Sequence, residues 1–231
     1  MKNAKSNKGN GGRMAGRNPE LTELVFVLDR SGSMSGMERA VIDGFNRLLE
    51  KQRRAPGRAL VSVELFNERF EVVYDREDIV RVEPMSPACY RVGGCTALLD
   101  AVGRAIRHIA RRQWATRPED RHGHTLFVIN TDGLENASRE YTRADIRGLV
   151  HEQERYGWEF MFLGANIDSY AEAGHLGIRP HLTCNVVADE RGMEAQYRSV
   201  AEAVSSLRSS GSVGHAWRRL VDADFGLRGK R

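Results

Sequence analysis

An aspartate and two serines at alternate positions, Asp29, Ser31 and Ser33, follow directly on the apolar run 24–28. One carboxylate and two hydroxyls on a short loop form an all-oxygen, low-charge cluster, the donor set that a hard divalent cation prefers. Two later loops offer the same chemistry. Thr96 follows Gly93-Gly94-Cys95, and Asp132 sits in Thr131-Asp132-Gly133 after the apolar run 125–130. Together the three loops supply five oxygen side chains with two formal charges and no soft ligand. Gly93 and Gly94 would let the backbone come close to a bound ion.

These loops need a scaffold, and the hydrophobic pattern predicts one. Short apolar runs at 24–28, 60–66, 70–74, 125–130, 158–163 and 181–187 read as strands. Apolar residues at three- and four-residue steps predict helices over 37–54, 97–109, 142–156, 168–176 and 192–208. The polar turn Asn67-Glu68-Arg69 joins two strands as a hairpin. Elsewhere strands and helices alternate, so the expected fold class is α/β: a doubly wound, Rossmann-like, mostly parallel six-stranded sheet with one antiparallel edge strand and helices on both faces. Such open sheets bind ligands beyond the carboxyl ends of their strands, where the three loops are expected.

At these residues the chain resembles the von Willebrand factor type A (vWA) family, of the bacterial or phage type. Asp29-Arg30-Ser31-Gly32-Ser33 matches that family's Asp-x-Ser-x-Ser metal-ion-dependent adhesion site (MIDAS). Thr96 matches its second-loop threonine and Asp132 its third-loop aspartate, over a resemblance spanning 22–208. The resemblance implies Mg²⁺, with Mn²⁺ or Ca²⁺ as alternatives. It implies direct ligation by Ser31 and Ser33, direct or water-mediated ligation by Thr96, and action through water for Asp29 and Asp132. It also implies a protein partner that offers an Asp or Glu carboxylate to the ion.

Competing readings attach to the same residues. Ser31 and Ser33 could simply cap the next helix, and Asp132-Gly133 could be only a turn. Asp100 and Asn136 read as helix-surface or capping groups, or as groups behind the ligands, and Glu135 as a solvated side chain. His108, His122 and His124 lack the converging spacing that zinc requires. Cys89 and Cys95 bracket a short stretch, and Cys184 reads as core. Neither a nucleophile elbow nor a phosphate-cradling loop is present, so catalysis is not expected. The enzyme alternative is a metal-dependent hydrolase or phosphotransfer protein using the same ion. Partner selection is expected to fall to Met34, Met37, 75–94 and 134–141.

Composition sets the outer bounds. The 231 residues are 41% hydrophobic, enough for one core, and no apolar run nears membrane-span length. Three cysteines and a polar N-terminus make a cytoplasmic location the default expectation. The net charge of +4 is unevenly spread: residues 1–18 carry +5, residues 214–231 carry +3, and the body between them −4. The expected organisation is a disordered basic tail at 1–18, a vWA domain at 19–211 and a basic C-terminal tail at 212–231. The tails could make weak polyanion contacts.

Overall fold

The computed structural model describes residues 18–117 and 120–229. Along the chain run β1 (Asn18–Asp29), α1 (Glu38–Arg53), β2 (Arg58–Phe66), β3 (Phe70–Asp78), α2 (Leu98–Ala115) and β4 (His122–Thr131). They are followed by α3 (Arg143–Glu154), β5 (Trp158–Ala165), α4 (Ser169–His175), β6 (Thr183–Val186), α5 (Glu190–Ser210) and α6 (Arg219–Arg228). The sheet order is β3-β2-β1-β4-β5-β6. Only β3 runs antiparallel to its neighbour, as the hairpin predicts.

Side-chain alternation sorts the strands' residues onto two cores. Leu24, Phe26 and Leu28 of β1 pack with Val41, Phe45 and Leu48 of α1 and with Val200 and Val204 of α5. Val25 and Val27 face the other way, onto Val102, Ile106 and Ile109 of α2 and Ile146 and Val150 of α3. Both faces of β1 are therefore buried, which explains its unbroken apolar run. The chain winds outward from β1 to β2 on one side and from β4 to β5 on the other. The carboxyl ends of β1 and β4 thus flank the point where the strand order reverses.

Three departures from expectation have physical causes. Helix α2 extends to Ala115 rather than stopping near 109. Its next inward position is Gln113, a polar residue buried because it donates to Glu23 Oε2 (2.9 Å) and Thr125 Oγ1 (3.1 Å) and accepts from Trp158 Nε1 (3.1 Å). Strand β3 continues past 74 to Asp78, since an edge strand tolerates polar side chains. The C-terminal segment expected as a tail instead folds back as a 3-10 turn, His215–Arg218, leading into α6. Trp217 and Val221, four residues apart, are buried there, and Trp217 Nε1 donates to the His181 carbonyl at 3.1 Å. Two apolar residues among several charges leave too weak a period to read. The basic stretch 1–18 lies outside the described residues except for Asn18, which begins β1. Among the described residues no helix is long and apolar enough to cross a membrane.

Candidate metal centre

Asp29 ends β1 and is fully buried. Both its carboxylate oxygens are engaged: Oδ1 accepts from the Ser31 amide (2.7 Å) and Oδ2 from the Thr131 hydroxyl (2.6 Å). Its carbonyl accepts from the Tyr90 hydroxyl. The Ser31 and Ser33 hydroxyls lie 3.0 Å apart, and Ser33 Oγ donates to Asp132 Oδ1 at 2.6 Å. Neither serine caps a helix. Ser31 precedes the 3-10 turn Gly32–Met34 without a side-chain cap, and the N-cap of α1 is Met37. Arg30, between the motif positions, pairs instead with Glu71 at 2.7 Å.

The second loop is laced to the first through backbone. Gly32 N–H donates to the Gly94 carbonyl (3.0 Å), and Gly93 N–H donates to the Arg30 carbonyl (2.9 Å). Gly94 holds φ +81°, a left-handed conformation that costs glycine little. The glycines thus serve loop-to-loop approach. A Cβ on Gly133 would sit 3.0 Å from Thr96 Oγ1 and 3.2 Å from Ser33 Oγ. Those two hydroxyls therefore flank one point beside Asp132. All five expected residues, Asp29, Ser31, Ser33, Thr96 and Asp132, converge at the switch point of the sheet.

The loop after β4 also holds the second loop in place. Helix α2 starts after Ala97, which has no side chain to cap it. Caps come instead from across the fold: Asn136 Oδ1 accepts from Thr96 N–H (2.9 Å), Glu135 Oε2 from Leu99 N–H (2.9 Å) and Ser138 Oγ from Asp100 N–H (3.0 Å). In return Asp100 accepts from the amides of Arg139, Glu140 and Tyr141 at 2.9–3.0 Å. Glu135 also accepts from the Ala137 and Ser138 amides, so it is a structural cap and not the solvated group expected. Sequence reasoning missed Thr131, Tyr90 and this use of Glu135. Only the uncapped start of α2 pointed to a cap from elsewhere.

Burial raises the Asp29 carboxyl above its usual range; hydrogen bonds from Thr131 and Ser31 oppose this, and the Asp132 charge adds to it. Burial likewise raises Asp132, against the hydrogen bond from Ser33. Asp132 Oδ2 is buried with no partner. Two adjacent buried carboxylates, one with an unmet oxygen, are costly alone and suited to a cation. The donor set fits a hard divalent ion, with Asp29 already saturated by protein donors and Ser31, Ser33, Thr96 and Asp132 supplying the remaining oxygens.

Around this cluster, Met34 and Met37 are buried and unable to meet a partner, whereas Leu134 is 57% exposed. The rival histidines are spoken for: His122 pairs with the buried Glu23, and His108 Nε2 lies 2.8 Å from Asp75 Oδ1. Cys89, Cys95 and Cys184 are free thiols, with Cys184 in the core as expected.

No protein-family model matches the sequence, and no curated protein matches it at a significant level. Solved structures do match by fold. Proximal thread matrix protein 1 from the mussel byssus, with a zinc-occupied MIDAS motif, aligns with TM-score 0.57 and 15% identity over 83% of this chain and 46% of its own. A von Willebrand factor type A protein from Catenulispora acidiphila aligns with TM-score 0.57 and 16% identity over 81% of this chain and 43% of its own. Manganese-loaded TRAP protein from Plasmodium vivax aligns with TM-score 0.54 and 16% identity over 76% and 71% of the two chains. The chain thus spans about half the length of the first two of these structures. With a parallel sheet of this order, one antiparallel edge and helices on both faces, the chain has the von Willebrand factor type A fold.

Proposed function

We propose that Asp29, Ser31, Ser33, Thr96 and Asp132 hold a divalent cation, Mg²⁺ by preference, and that the ion captures an Asp or Glu carboxylate of a protein partner. The observation that carries this reading is the buried, partnerless Asp132 Oδ2 beside the Ser33 and Thr96 hydroxyls. Mg²⁺ favours an octahedral oxygen shell and keeps exchangeable waters, so it can accept one more carboxylate. Here Asp29 orients Ser31 and Thr131, Ser33 and Asp132 fix one another, and Leu134 offers an apolar contact beside the captured carboxylate. The zinc and manganese carried by fold neighbours support a divalent ion in general.

Thermal unfolding with and without Mg²⁺ tests the ion: saturation at about 100 times Kd stabilises the folded state by about 2.7 kcal/mol. Ser33→Ala and Asp29→Ala should remove that response, and an unchanged response would move the site elsewhere. Partner capture from lysate should fail in EDTA and in Ser33→Ala. Metal-dependent phosphoester turnover would instead favour the hydrolase alternative.

A further inference from the structure

We propose that the far end of α2, together with the end of α3, binds single-stranded nucleic acid, with Trp114 as its stacking platform. Trp114 is 61% exposed, while Trp158 and Trp217 are 2% and 3% exposed. Leaving a large indole in water is costly unless something covers it. Arg107 and Arg111 lie seven and three residues before Trp114, two and one turns back along the same exposed stripe of α2, with the Arg107 guanidinium 5.7 Å from the Tyr141 ring centroid. Arg121 places its guanidinium 5.6 Å from the indole centroid and anchors there by donating to the Trp114 and Thr116 carbonyls. Tyr156, two residues beyond α3, packs edge-on to the indole at 5.8 Å and holds the ring, and its chain neighbour Arg155, the C-cap of α3, is exposed.

The charge is available to a ligand. Among the described residues Arg107, Arg111, Arg121 and Arg155 form no ion pair with a carboxylate. The nearby acids Asp75 and Glu154 are taken by His108 and Arg112 and by His151 and Arg179, respectively. Among the described residues, exposed Asp120 and Glu152 remain, with Asp145 close enough to Arg107 for that charge to help lower its carboxyl, fewer acids than the four arginines. The chain also enters β1 here, where Asn18 N–H donates to the Arg121 carbonyl at 2.8 Å. The seventeen residues before it carry Lys2, Lys5, Lys8, Arg13 and Arg17 and no acid. In a body of net −4, the arginines on these two helix ends thus stand on the surface that carries one exposed aromatic ring. Phosphates suit the arginines and an unpaired base suits the indole, the combination used for single strands. A duplex would offer its phosphates while keeping its base faces stacked away from the ring.

The test is fluorescence polarisation of a labelled oligouridylate or oligothymidylate titrated with the full chain in EDTA. Saturable binding that weakens with added salt is expected, accompanied by quenching of tryptophan emission. Trp114→Ala should weaken binding about tenfold and Trp114→Phe should restore most of it. Arg107→Glu with Arg111→Glu should flatten the dependence of log affinity on log salt by about 1.4. These positions are exposed, so the melting temperatures should stay near that of the parent. The proposal is overturned by absent binding, by affinity unchanged in these variants, by loss of binding in EDTA, or by equal binding to polyglutamate or phosphatidylserine vesicles. Because EDTA removes any bound cation, retention in it separates this surface from the metal centre, and either can fail alone.

Discussion

Glu64 illustrates how one buried side chain sets a condition for the whole fold. It lies fully buried on β2 with neither carboxylate oxygen partnered. Burial, then the charges of Asp75 and Glu23, push its carboxyl up to about 8. Glu23 contrasts with it. Burial raises that carboxyl too, but the hydrogen bond and charge of His122, with Arg76 and Gln113, more than offset the burial and leave it lowered. Between the unfolded value of 4.5 and about 8, the unfolded chain sheds the Glu64 proton while the folded chain keeps it. Stability is therefore lost as pH rises through that window. Glu64→Gln should melt several degrees above the parent near about pH 9 and close to it near about pH 4. Thermal melts at the two pH values check this, and an equal gain at both would show that ionisation is not the cause.

At the scale of elements, α2 owes its position to groups contributed by another loop. Glu135 accepts from the Leu99, Ala137 and Ser138 amides and from the Ser138 hydroxyl, so Glu135→Ala takes the acceptor from four donors. The expected loss is about 1–3 kcal/mol by chemical denaturation, with weaker Mg²⁺ stabilisation because Thr96 begins this same turn. Full Mg²⁺ response in the variant would show that the capping loop does not position the metal residues. These contacts were not legible in the sequence. Glu135 reaches Leu99 across 36 positions and Asp100 reaches Tyr141 across 41, and no local period records such pairs. Asp29, Ser31, Ser33, Thr96 and Asp132 were legible because each follows a strand or opens a helix, and because a hard cation restricts the residue types allowed. The sheet was legible for a related reason: strands buried on both faces carry unbroken apolar runs, as 24–28 and 126–129 are.

At the scale of the molecule, the domain extends further toward its C-terminus than its apolar pattern suggests. Helix α5 is capped by Asp189 at its start and by Gly211, φ +78°, at its end, which looks like a natural boundary. Beyond it, Trp217 and Val221 complete the core on the α1–α5 side of the sheet. Trp217→Ala should cost about 3–5 kcal/mol, read by denaturant unfolding. Truncation after Gly211 should cost at least as much; near-parental stability would return 212–231 to the role of a tail. The proposed nucleic-acid surface and the metal centre stand at opposite ends of α2. Along this 18-residue helix the Trp114 platform lies about 27 Å from Thr96. A strand and a partner protein could both be engaged without touching.

Strand β1 gives this arrangement a mechanical consequence. It begins beside Arg121, where the basic segment joins, and ends at Asp29 in the metal centre. Parallel neighbours β2 and β4 clamp it on both sides, in register from Leu21 to Asp29 and from Thr22 to Leu28 respectively. A pull between a tethered tail and a metal-bound partner would act along this strand, loading both ladders in shear so that their hydrogen bonds resist together. The same pull across the edge strand β3 would peel one bond at a time. The sheet is thus stiffest along the line joining its two candidate points of attachment.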